Sequence, residues 1–84
     1  MPLPTTQATL GEYRVGISFN PGGSEMVDKL KRAAADFIDL VETIPTTAAN
    51  SVTPAEIARL KALAQTHMED AAMWAVKAAT KPAR

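Results

Sequence analysis

Apolar residues recur at two helical spacings along this chain, separated by a stretch rich in proline, threonine and small residues. Met26, Val27, Leu30, Ala33, Ala34, Phe37 and Val41 repeat at intervals of three and four, which predicts a first helix over 24–44. Ser24 is placed to cap it, with Glu25 and Asp28 in the first turn, and Pro45 forces the preceding residue out of helical geometry. Ile57, Leu60, Ala64, Met68, Ala71, Trp74 or Ala75, and Ala78 form a second stripe, predicting a helix over 53–80. Its start carries the strongest local signal in the chain. Thr53 is the N-cap, Pro54 takes the first helical position, and Glu56 is spaced for a capping box.

Upstream of both helices the pattern changes to period two. Tyr13, Val15, Ile17 and Phe19 alternate with Arg14, Gly16 and Ser18, which predicts an extended segment ending at the breaker Asn20-Pro21-Gly22-Gly23. The expected fold class is therefore all-α: one domain over 1–84, made of a short N-terminal segment (1–23) and an antiparallel two-helix hairpin. Each helix of a hairpin shields only one side of its partner. Ile38, Leu40, Leu63, Met73 and Val76 lie off the main stripes, and Trp74 reads as an interhelix anchor. An 84-residue monomer buries only about 60% of its unfolded surface, and with no cysteine and one histidine neither disulfides nor a metal can reinforce it. Assembly into a compact homo-oligomer is the expected solution.

Charge narrows the partners. Nine Lys+Arg balance nine Asp+Glu, so there is no bulk positive field to hold long nucleic acid, although a local basic pocket for a small anion remains possible. No apolar run approaches the ~20 residues of a membrane span, and the N-terminus lacks a signal-peptide pattern, so a cytoplasmic protein without a membrane partner is expected.

Candidate chemistry is sparse. His67 and Asp70 share a helix face, but a surface histidine paired with an acid describes them better than an acid-base or metal site. No phosphate-loop, dinucleotide-binding or zinc-protease motif is present, so neither an enzyme, a cofactor nor a metal is expected. The Gly22-Gly23-Ser24 helix start could cradle an anion, though an ordinary turn and cap is the better account of it. Arg14, Lys29, Lys31 and Arg32 cluster around it in sequence, and Tyr13 and Phe19 flank it. Aromatic rings beside cations suit a nucleotide, because bases stack while Lys and Arg meet phosphates; the competing reading makes Phe19 core and Tyr13 a packing residue.

Tyr13-Arg14-Val15-Gly16-Ile17-Ser18-Phe19-Asn20-Pro21, the Val27 to Lys31 stretch leading into Ala34-Asp36-Ile38-Asp39-Leu40, and above all Met68-Glu69-Asp70-Ala71-Ala72-Met73-Trp74-Ala75-Val76-Lys77-Ala78-Ala79 resemble one family. It is the phage anti-CBASS family of cyclic-oligonucleotide sponges, and the likeness runs from about residue 11 to 81. The resemblance implies a helical hairpin in a homo-oligomer that sequesters cyclic dinucleotides, and cyclic trinucleotides at separate sites, without cleaving them. It implies action in the cytoplasm of the infected bacterium. By position it makes Tyr13 the base-stacking ring, Lys29 or Lys31 the phosphate contact, and Arg59, with Lys61 behind it, the trinucleotide contact. Arg14 and Phe19 complete the expected nucleotide-binding set. A second reading, from a different class, is an interaction module that docks a host or phage helix on an exposed apolar face.

Overall fold

The computed structural model describes residues 7–47 and 52–84 and contains three helices in chain order: α1 (Leu10–Val15), α2 (Glu25–Glu42) and α3 (Pro54–Thr80). Among the described residues there is no strand. The loop predicted over 44–51 lies in part outside them.

The hairpin follows the local signals. Ser24 Oγ accepts the Val27 N–H and starts α2, while Thr53 Oγ1 accepts the Glu56 N–H at 3.2 Å and starts α3 with Pro54 in the first turn. The Thr53 capping box is only half made, because the Glu56 carboxylate turns instead to Arg59. α2 ends at Glu42, three residues ahead of Pro45. No basic residue stands in its last turn, so Lys61 reaches across from α3 and donates to the carbonyls of Glu42 (3.0 Å) and Ile44 (2.6 Å). A cation there satisfies orphan carbonyls and faces the negative end of the α2 dipole.

The N-terminal segment departs from expectation. Tyr13–Phe19 is not extended: Tyr13, Arg14 and Val15 are the last residues of α1, and a turn follows. Thr9 and Glu12 form a complete capping box, with Thr9 Oγ1 accepting the Glu12 N–H and the Glu12 carboxylate accepting the Thr9 N–H. Gly16, at φ 64°, closes the helix by a Schellman turn in which the Ile17 N–H donates to the Glu12 carbonyl and the Gly16 N–H to that of Tyr13. Two local end signals favour a helix against a seven-residue alternation, and docking on α2 decides between them. A six-residue helix is not stable alone, and α1 is held by docking on α2. The Gly11 N–H donates to Asp39 at 2.7 Å, Arg32 pairs with Glu12 at 2.8 Å, and Gly11 lies directly against the Ala35 carbonyl.

The seam between α2 and α3 is narrow. Buried positions on α2 are Val27, Lys31, Ala34, Ala35, Ile38 and Val41, spaced as a coiled-coil stripe. Val27, Ala34 and Val41 lie where the spacing put them, whereas Met26, Leu30, Ala33 and Phe37 were expected inside and are not buried. Ile38, assigned off the stripe by its spacing, is the one large side chain that is fully buried among the described residues. On α3 only Ala72 and Gln65 are buried. Gln65 donates to the Ile38 carbonyl (3.1 Å) and to the Glu42 carboxylate (3.0 Å), bracing one helix on the other. Trp74 is not an interhelix anchor within the chain: it is 57% exposed, and Lys77 Nζ lies 5.2 Å from its ring.

This packing leaves the chain open. Its radius of gyration is 15.8 Å, where a compact chain of this length gives about 12 Å. Its accessible surface is 6411 Å², against roughly 4,800 Å² for a compact monomer of the same mass. Leu40, Leu60, Leu63, Met73 and Trp74 are among the large apolar side chains that stand exposed. Among the described residues no helix is long and apolar enough to cross a membrane.

Candidate functional site

α1 is the element that places the site, because it hangs between α2 and α3 and carries Tyr13 and Arg14 on different sides. Arg14 turns toward α3, where its Nε donates to Glu69 at 2.8 Å and its Nη2 to Thr66 at 3.2 Å. Tyr13 turns away from both helices and is 78% exposed. A cleft of about 470 Å³ opens beside Arg14, between the end of α1, Lys31 on α2 and one face of α3. Arg14, Lys31, Glu69 and Asp70 supply its charges, and Val15 and Met73 are among its apolar walls.

Lys31 is the unusual member. Only 7% exposed, it sends its ammonium to the carbonyls of Gly16 (2.9 Å) and Phe19 and lies 5.4 Å from the Phe19 ring. Its aliphatic stem fills a core position while the charge meets the carbonyl end of α1, which is why a lysine is tolerated on the buried stripe. An ammonium has three N–H donors, so one remains after these two bonds.

The other expected site residues are divided by the fold. Lys29, two positions from Lys31, falls on nearly the opposite side of α2 and lines a separate groove of about 610 Å³ with Ile17, Asp28, Arg32 and Asp36. Phe19 is not core: it is 72% exposed and packs under the Lys31 charge. Arg59 makes a two-bond pair with Glu56 (2.9 and 2.8 Å). It stands ten residues from Glu69 on the same helix, about 15 Å along the axis, so it does not join the cleft. The Gly22-Gly23-Ser24 start is occupied by the chain's own groups. Asn20 Nδ2 donates to the Ser24 carbonyl and to Asp28, Asn20 Oδ1 accepts the Ser24 N–H, and Ser24 holds the Val27 N–H. Glu25 and Asp28 in that first turn already complement the positive end of the α2 dipole. His67 is exposed, and among the described residues no cluster of His, Asp or Glu is arranged to hold a metal ion.

Glu12 and Asp39 hold α1 in place and Thr66 holds Arg14, yet none of the three is among the expected site residues. The Thr9–Glu12 spacing was a readable signal for the first; nothing local marks the other two. Thr9 and the Gly11 N–H both donate to Asp39 and hold its carboxyl below the usual aspartate range. The Thr9 N–H, and then Arg32, do the same for Glu12. Both groups are depressed on folding, so their stabilisation is full above the unfolded values, near 3.8 for Asp and 4.5 for Glu, and is lost as pH falls through the lower folded values. Acid titration below about pH 4.5 should therefore release α1 before the α2–α3 hairpin. The Asp39→Asn, Glu12→Gln double variant should be less stable at pH 7 and show a flatter acid limb in thermal melts. An unchanged limb would remove these carboxylates from the account.

Comparison with curated proteins and with solved structures returned no match. The model of one protein family, described as the Acb2/Tad1 hairpin domain, matches residues 12–80. That span takes in all but the first two residues of α1, the whole of α2 and α3, and every charged residue of the cleft. The chain belongs to the Acb2/Tad1 hairpin-domain family, the anti-CBASS sponges, a family of binding proteins.

Proposed function

We propose that this chain is a phage protein that sequesters cyclic oligonucleotide second messengers in the cytoplasm of the infected bacterium, without cleaving them, and so blocks CBASS immunity. The observation that carries the reading is Tyr13: an aromatic ring almost wholly exposed on a helix pinned through Gly11, Glu12 and Arg14. Exposure of a large ring on a rigid mount is wasteful for folding but suited to stacking on a base.

A cyclic dinucleotide has two phosphates and two bases. Lys31 meets a phosphate with its remaining N–H, and because Gly16 and Phe19 already hold the ammonium, little side-chain entropy is lost on binding. What favours Lys31 over Lys29 is its place in the same cleft as Arg14. Tyr13 faces outward and does not line that cleft, so its ring serves a ligand held at a seam between copies. A two-fold seam offers the pair twice, matching the ligand's symmetry. The open shape and exposed apolar side chains of the single chain support a homo-oligomer. Arg59, outside the cleft, would serve a separate cyclic trinucleotide site.

Calorimetric titration with a panel of cyclic di- and trinucleotides, followed by recovery of the ligand after denaturation, tests the proposal. Saturable binding with intact ligand recovered is expected. No binding across the panel would overturn it, and cleaved ligand would make the protein an enzyme. The exposed Leu60, Leu63 and Trp74 on α3 favour the second reading, a module that docks a partner helix. Light scattering on the purified protein separates the two, since a stable monomer supports docking and a closed oligomer supports the sponge.

A further inference from the structure

The cleft carries as much negative as positive charge, which is a poor design for a site that only holds phosphate. Glu69 and Asp70 stand in the same wall as Arg14 and Lys31. Glu69 is fixed in place because Arg14 Nε holds its Oε1. Asp70, next along α3, makes no ion pair or side-chain hydrogen bond among the described residues. Arg14 spends two of its five N–H donors on Glu69 and Thr66, so three remain. With Lys31 assigned to phosphate, the wall offers one cationic donor group beside two carboxylate acceptors.

Among nucleobases only guanine presents the complement of that set on its Watson–Crick edge. Its O6 accepts, and its N1–H and N2–H₂ donate. Adenine offers one donor group and one acceptor, cytosine one donor group and two acceptors, uracil one donor and two acceptors. Each of these would leave a carboxylate of the wall without a donor on the base, and a covering ligand that fails to pair a polar group loses affinity for it. We propose that the Arg14–Glu69–Asp70 wall of the cleft is a guanine-reading site, so that the preferred ligand is a guanine-containing cyclic dinucleotide. Arg14 donates to O6, and Glu69 Oε2 and Asp70 accept from N1–H and N2–H₂. The assignment rests on the sponge reading and specifies its ligand.

Titrations of the full chain with cyclic diguanylate and cyclic diadenylate, on the unaltered protein and on Asp70→Asn and Asp70→Ala, decide it. The readout is the ratio of the two affinities, because removing a negative charge strengthens binding of any dianion. We expect the unaltered protein to prefer cyclic diguanylate by roughly tenfold or more, and both variants to bring the ratio close to one. Asp70 is exposed, so circular dichroism of the variants should match the parent. Equal affinities in the unaltered protein, or a ratio that survives both substitutions, would overturn the guanine assignment and leave the sponge standing. Failure to bind either ligand, or any other member of the panel, would bring down the sponge itself.

Discussion

Replacing Tyr13 with alanine is expected to weaken cyclic dinucleotide binding by roughly 5- to 160-fold for each ring that stacks, and by up to the square of that factor where two protomers each contribute one. The fold should be nearly indifferent. The ring is 78% exposed and its hydroxyl makes no hydrogen bond among the described residues, so its removal deletes little packing. Helicity by circular dichroism and the mass by light scattering should both match the parent, while calorimetry shows the loss. Tyr13→Phe should keep most of the affinity, because stacking needs the ring and not the hydroxyl. Two results would count against the assignment: unchanged affinity, or an oligomer that falls apart. The second would mean that Tyr13 covers a neighbouring copy and not a ligand.

Gly11→Ala tests how the site is mounted. A Cβ at Gly11 would sit 2.1 Å from the Ala35 carbonyl oxygen, and that oxygen belongs to the α2 backbone, so no side-chain rotation relieves the clash. α1 must lift off. Lifting it stretches the Gly11–Asp39 and Glu12–Arg32 bonds together, and the cost should be about 1 to 3 kcal/mol, as for an overpacked core. Hydrogen exchange should then show α1 losing protection while α2 and α3 keep theirs. Ligand affinity should fall with it, although Tyr13, Arg14 and Lys31 are all still present. Gly16→Ala is the control. It also alters a glycine of α1's surroundings, but the nearest atom is 3.9 Å away, and the penalty is only the left-handed backbone at φ +64°, about 1 to 2 kcal/mol. If Gly11→Ala behaves no worse than Gly16→Ala, the close crossing of α1 over α2 is not what holds the site.

These two glycines also show where sequence reading stopped. The starts and stops of α2 and α3 were legible because they are local events: Ser24, Thr53, Pro45 and Pro54 act on the two or three residues beside them. α1 was also encoded locally, in Thr9, Glu12 and Gly16, yet the alternation from Tyr13 to Phe19 is equally local and pointed to an extended segment. The competition was settled by Asp39, twenty-eight residues downstream of the Gly11 amide it accepts. Likewise, an apolar stripe read by spacing put Leu30 and Phe37 inside and overlooked Lys31 and Ile38. A lysine enters a core stripe only if carbonyls from elsewhere receive its charge, and those belong to Gly16 and Phe19.

The candidate site divides in the same way. Tyr13, Arg14 and Lys31 could be named from residue type and family resemblance, but Lys29, Phe19 and Arg59 stood on the same footing. The fold places them differently: Arg14 and Lys31 share a cleft, Tyr13 faces outward, Lys29 lines another groove, Phe19 lies against a cation and Arg59 pairs with Glu56. From its sequence alone this protein is a helical hairpin with too little core for its apolar surface and with a few aromatic and cationic residues ahead of its first long helix. Those properties follow from hydrophobic period, capping and composition, which act over single turns of chain. The tertiary structure decided that the N-terminal segment is a docked helix, that Lys31 and not Leu30 is inside, and that Arg14 meets Glu69 and Asp70 in one cleft. Such pairings join residues up to fifty-five positions apart, and their energy depends on distance in space, which no local pattern records.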